Sequence, residues 1–244
     1  MAVLFFCATV SFAELASANI VGYQKKDVQL GQSFQGCSFD QIGVEGGALD
    51  IQKLTPVDEN GDVVAGGDVN IQFYNNFGKF LFSYAFYDTD EWDADCPAGW
   101  YEENEGVLAE YTFNAAEGFK VYTGTAASFM YSGEVNLAET DLPVRQGQSF
   151  QVNPRPASVD IQSIRPVDED DMLVCGGDVN IQFYNNFGKF LFSYAFYDTD
   201  EWDADCPAGW YDENEGVLAE YTFGASEGFK VYTGMECFLR FPEM

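Results

Sequence analysis

The chain contains no histidine. That absence excludes Ser-His-Asp and Cys-His nucleophile systems, HExxH zinc sites and every other imidazole-ligated metal site. Any catalysis would rest on carboxylates, tyrosine, lysine or cysteine. Basic residues are scarce: 11 Lys and Arg face 40 Asp and Glu, a net charge of −29. Such a chain repels nucleic-acid phosphates and anionic lipid headgroups alike. Nucleic acid and acidic membrane surfaces are therefore poor partners, whereas cations, basic proteins and neutral glycans stay open. The plainest consequence of the charge is solubility. No apolar run reaches the length of a bilayer span, so no membrane insertion is expected. The six cysteines follow no zinc-ligand spacing.

What is present begins with core material. The 244 residues are 47% hydrophobic and 17% aromatic, ample for a packed interior despite the charge. Ala2 to Ala13 has the length of a signal-peptide core, and Ala16-Ser17-Ala18 is an A-x-A cleavage site. Residues 1–18 are thus expected to be a signal peptide, although the usual basic stretch before the apolar run is missing; a buried N-terminal strand is the other reading. A secreted, periplasmic or cell-surface location follows. Disulfides are permitted there. Cys37, Cys96, Cys175, Cys206 and Cys237 remain after cleavage. Five is odd, so at least one thiol is unpaired or bonds between molecules, and the pairing stays open.

Self-comparison is the most informative operation. Gly66–Tyr101 reads GGDVNIQFYNNFGKFLFSYAFYDTDEWDADCPAGWY, and Gly176–Tyr211 is the same string shifted by 110. The match continues through ENEGVLAEYTF and EGFKVYTG, with differences only at Glu102/Asp212, Asn114/Gly224 and Ala116/Ser226. Upstream the copies diverge, but GQSFQ recurs at Gly31 and Gly147, an offset of 116. Six extra residues therefore sit around Ser38–Gly47 of the first copy. This is a tandem duplication with a unit of the size of a β-sandwich domain. The expected division is residues 19–133 and 134–244.

Each unit reads as strands. Val69, Ile71 and Phe73 alternate with Asp68, Asn70 and Gln72, a period of two. Asn75-Asn76-Phe77-Gly78 is a turn, and Lys79–Tyr87 is so apolar that a strand buried on nearly both faces is expected. Val107–Phe113, Phe119–Thr123, Leu49–Leu54 and Phe129–Tyr131 are further expected strands, with a hairpin turn at Asn60-Gly61. No helical stripe is sustained. The expected fold is all-β: two tandem antiparallel β-sandwich-like domains.

The order of a VGY strand, a strand pair ending in YD, the acidic loop, EGFKVYTG and Ser132–Val135 opening the next copy resembles exported bacterial proteins with two tandem β-rich repeats. The resemblance implies export and a β-sandwich, and no particular activity.

Two sets of residues carry candidate chemistry. Asp88, Asp90, Asp93 and Asp95, repeated as Asp198, Asp200, Asp203 and Asp205, cluster in YDTDEWDADC. Hard cations take six to eight oxygens, so Ca²⁺ is the cofactor such loops would hold; the other reading is a solvated acidic loop. Asp58-Glu59-Asn60-Gly61-Asp62 resembles the start of a calcium loop, but a plain hairpin turn fits both copies better. Trp92, Trp100 and Tyr101, repeated as Trp202, Trp210 and Tyr211, would make a platform for sugar rings or a protein surface, or would fold back as plugs over the sandwich. Paired carboxylates could in principle cleave glycosides, but acids are so abundant that such a pair arises by chance. Cys96 and Cys206 follow aspartates, a setting that raises a thiol pKa and argues against a nucleophile. The expected function is a non-enzymatic, exported structural or adhesion protein; the alternative is a pair of carbohydrate-binding modules, in a calcium-dependent form if the acidic loops hold the ion.

Overall fold

The computed structural model describes residues 21–40, 49–88, 97–114, 116–198 and 207–244. Among these the chain is all-β, without an α-helix and with every strand pair antiparallel. Among the described residues no helix is long and apolar enough to cross a membrane.

In the first copy the strands are β1 (Val21–Val28), β2 (Gly31–Gly36), β3 (Phe39–Asp40), β4 (Leu49–Asp50), β5 (Val69–Tyr74), β6 (Phe80–Tyr87), β7 (Gly99–Glu102), β8 (Thr112–Phe113), β9 (Gly118–Thr123) and β10 (Ala127–Val135). They form a five-stranded sheet, β2-β9-β5-β6-β7, a three-stranded sheet, β1-β10-β3, and the short pair β4-β8. The second copy has β11 (Thr140–Val144), β12 (Gly147–Val152), β13 (Val159–Asp160), β14 (Arg165–Val167), β15 (Val179–Tyr184), β16 (Phe190–Tyr197), β17 (Gly209–Asp212), β18 (Thr222–Phe223), β19 (Gly228–Thr233) and β20 (Cys237–Phe241). Its sheets are β12-β19-β15-β16-β17, β11-β20-β14 and β13-β18. Strand β10 runs to Val135 and pairs there with Phe39, so it crosses the cut expected near Gly133.

Period-two patterning explains the core. Val69 and Ile71 of β5 are buried with Phe119 and Val121 of β9, while Asn70, Gln72 and Lys120 take the opposite face. Phe129 of β10 closes over this layer, its ring 6.3 Å from Phe119 and 6.2 Å from Trp100. Two sheets thus share one core, in a sandwich-like way. The second copy has its own cluster around Ile161, Ile181, Trp210 and Leu239. Among the described residues the first copy's cluster contains none beyond Val135.

Three expected strands come out differently. Leu49–Leu54 bends after two residues into a 3-10 turn, Ile51–Lys53, because Asp50 caps it by accepting the Gln52 N–H at 2.9 Å. Val107–Phe113 is a strand only at Thr112–Phe113. Before it, Val107–Ala109 meets β7 only in a short bridge, with Glu102 N–H donating to Val107 O and Ala109 N–H to Trp100 O. The Gln52 amide ties the two segments: Nε2 donates to Trp100 O and Ala109 O, and Oε1 accepts the Trp100 N–H. Strand β6 is not buried on both faces, since Phe80 and Leu81 are exposed. Its neighbour β7 pairs only with Tyr84–Tyr87, so the first half of β6 has β5 alone beside it.

The Asn60-Gly61 region is a plain turn. Asp58 Oδ1 accepts the N–H groups of Asn60 at 2.8 Å and Asp62 at 2.9 Å, and Gly61 has φ +89. In the second copy Asp171 takes that backbone position with φ +62, and Asp168 accepts from Asp170 and Met172. Aspartate tolerates the left-handed region, so losing the glycine does not lose the turn. The N–H of Asp62, followed by those of Asn60 and Gly61, holds the Asp58 carboxyl below its ordinary pKa. A depressed folded-state pKa contributes stability that is present above the unfolded value of about 3.9 and is lost as pH falls through the folded one. Carbon NMR of the Asp58 carboxyl is expected to titrate below a peptide aspartate; titration at the peptide value would contradict the turn.

Candidate functional site

Strand alternation decides where the expected aromatics go. On β7, Trp100 and Tyr101 lie on opposite faces of the strand, and both are buried. Trp100 is fully buried, donates from Nε1 to Leu54 O at 2.6 Å and meets Phe86 edge-on at 5.4 Å. Trp210 repeats this against Ile164 O at 2.9 Å and Phe196. Tyr101 and Tyr211 are covered as well, each donating to a proline carbonyl four residues back, Pro97 and Pro207, at 2.6 Å. These four rings are core groups and present no platform, which corrects the sugar-stacking reading for them. Trp92 and Trp202 lie outside the described residues. So do Asp90, Asp93, Asp95, Asp200, Asp203 and Asp205. Asp88 and Asp198 directly follow β6 and β16. Among the described residues no group of three or more acids or cysteines is arranged to hold a metal ion.

The structure brings together a different set, where the copies meet. The outer faces of the two five-stranded sheets pack at the β2-β9 and β12-β19 edges. Gln32 N–H donates to Asn186 O at 2.6 Å, and Gln148 N–H donates to Asn76 O at 2.7 Å. Asn186 Nδ2 donates to Leu30 O and Asn76 Nδ2 to Gln146 O. Each bond has its counterpart with the copies exchanged, which is the pattern of an isologous, two-fold interface within one chain. Glycine makes the approach possible. A Cβ on Gly31 or Gly147 would overlap the carbonyl of Asn186 or Asn76. One on Gly118 or Gly228 would come under 3.0 Å from the backbone of the other copy's edge strand.

At the centre Phe34 and Phe150 stack at 5.0 Å. Tyr184 meets Phe34 edge-on and Tyr74 meets Phe150 edge-on, both at 6.1 Å. Each tyrosine carries a lysine: Lys120 Nζ lies 4.8 Å from the Tyr74 ring centre and Lys230 Nζ lies 4.9 Å from that of Tyr184. Each ammonium also donates to its tyrosine oxygen, at 3.2 and 3.1 Å. The result is a row of four rings with a cation at each end. A cavity of about 470 Å³ opens beside it, lined by residues of both copies. That volume lies within the range of about 300–1,000 Å³ usual for small-molecule sites.

The junction is not fully symmetric. Ala116 and Ser226 occupy matching positions with φ +56 and +52, and both are buried. Ala116 joins the core cluster of the second copy, whereas the Ser226 hydroxyl meets that of Ser38 in the first. Gln24 and Lys26 donate to Ala225 O beside it, and burial lowers the pKa of Lys26 while Glu227 opposes that. Two of the three differences inside the matching block, at 114/224 and 116/226, thus flank or form this contact.

Sequence reasoning passed over Gln32, Phe34, Tyr74, Lys120, Phe150, Gln182, Tyr184 and Lys230. Two signals pointed to them. GQSFQ recurs where the flanking sequence has diverged, and a lone lysine interrupts the apolar FKVY strand in each copy. Comparison with protein-family models, with curated proteins and with solved structures finds no match.

Proposed function

We propose that the chain is an exported, non-enzymatic binding protein with a structural or adhesion role, and that it meets its glycan or protein-surface partner at the cleft between its copies. The observation that carries this reading is the cleft itself. It exists only because both copies are present, and its lining combines aromatic rings with amide and ammonium donors. Such a lining orients a polar ligand by a few convergent groups. A binding role also suits the carboxylates there. Both oxygens of Glu227 accept hydrogen bonds, from Tyr221 and the Gly224 N–H, and Asp27 accepts from the Ser128 hydroxyl. They are committed to holding the fold.

Affinity electrophoresis of the full chain through gels containing cell-surface polysaccharides tests the reading. The expected result is retardation by at least one polymer, lost when Gln182→Trp fills the cleft. Equal mobility of wild type and variant in every gel would contradict it.

A further inference from the structure

The hydrogen-bond directions at the cleft define the chemistry of what it takes. An ammonium only donates, so at Lys230 the tyrosine oxygen is the acceptor. The Tyr184 proton must then go elsewhere, and it goes to Gln182 Oε1 at 2.9 Å. That fixes the amide orientation: Oε1 is used, and Nε2 faces outward as a donor. The ends of this relay are therefore donors at both sides, two ammonium protons and two amide protons. Lys120, Tyr74 and Gln72 repeat it in the first copy, again with 2.9 Å between tyrosine oxygen and glutamine. Among the described residues no carboxylate forms an ion pair with Lys120 or Lys230. A second, independent group points to a ligand with hydroxyls. Gln35, which also lines the cavity, is buried and its Oε1 has no hydrogen-bond partner. A buried, unsatisfied acceptor costs about 1–3 kcal/mol, and a hydroxyl donor would satisfy it.

We propose that the cleft binds a small polyhydroxylated carboxylate, the acidic-sugar class, with its carboxylate on the Lys230 and Gln182 donors and a hydroxyl on Gln35. The proposal rests on the cleft being the contact site and names what it recognises. A carboxylate supplies the acceptors that the relay lacks, and charge-assisted bonds to an ammonium are the stronger kind. The lining holds Lys120 and Lys230 together with Asp27 and Glu227. Asp27 accepts from the Ser128 hydroxyl and Glu227 from Tyr221 and the Gly224 N–H, so the lysine donors face the cleft without forming ion pairs to them.

Isothermal titration calorimetry of the full chain with hexuronates and with their neutral parent hexoses tests it. The expected result is hexuronate binding at least tenfold tighter than hexose binding. Lys230→Met should weaken the hexuronate at least tenfold. Gln182→Glu keeps the acceptor for Tyr184 but replaces the amide donor by charge, so it should abolish hexuronate binding while the melting temperature stays unchanged. Equal affinity for acid and hexose, insensitive to both variants, would overturn the acidic class and leave the cleft as a neutral-glycan site. Binding of neither, with the polysaccharide gels also negative, would overturn the cleft reading as well.

Discussion

Gly147→Ala is expected to destabilise the chain by about 3 kcal/mol. Three effects add. Gly147 has φ +94, a conformation that costs a residue with a Cβ about 1–3 kcal/mol. The new methyl would overlap the Asn76 carbonyl of the other copy. The bond from Gln148 N–H to that carbonyl, 2.7 Å in length, would then be lost, at about 1 kcal/mol. Gly61→Ala is the control. Its φ is +89 but nothing lies within 4 Å of its would-be Cβ, so only the backbone cost of about 1 kcal/mol applies. Urea denaturation of both variants separates the effects. Equal losses would mean that the copies do not press together at Gly147.

Trp210→Ala is expected to cost about 3–5 kcal/mol, the range for emptying a buried tryptophan site. The indole is fully buried among Phe196 and its neighbours, and its N–H is bonded to Ile164 O. Truncation leaves both a cavity and an unpaired carbonyl. A solvent-facing platform residue would instead change stability by no more than about 0.5 kcal/mol. The magnitude read from the denaturation midpoint thus decides between core plug and binding platform. Since domains are stable by only about 5–15 kcal/mol, the change is easily resolved.

Much of the architecture was legible because it follows from local rules. The Val69-Ile71 alternation, the Asn75–Gly78 turn and the 110-residue shift lead directly to the β5-β6 hairpin and its second-copy counterpart. What misled was the treatment of aromatic content as position. Their place beside the acidic loop suggests that Trp100 and Tyr101 are loop residues, but they lie on β7, where both are buried on opposite faces of the strand. The Val107–Phe113 pattern reads as one strand because sequence does not reveal that only Val107–Ala109 meets β7 through its backbone, with the Gln52 amide bonded to Ala109 O beside it. The cleft was hardest to see. Phe34 and Phe150 are 116 residues apart and meet only through the relation between copies, which no local period encodes. Its trace was the recurrence of GQSFQ, five residues without any conspicuous reactive group.

Hydrogen exchange at the amides of Gln32 and Gln148 tests the docking of the copies most directly. Both belong to edge strands, β2 and β12, each paired on one side only within its own sheet. Their N–H groups donate across the junction to Asn186 O and Asn76 O. Docked copies predict that both amides are protected well beyond exposed loop amides and that they lose protection together in Gly147→Ala. Exchange of Gln32 and Gln148 at the rate of open loops in the intact chain would mean that the copies do not meet there, and the cleft would not exist.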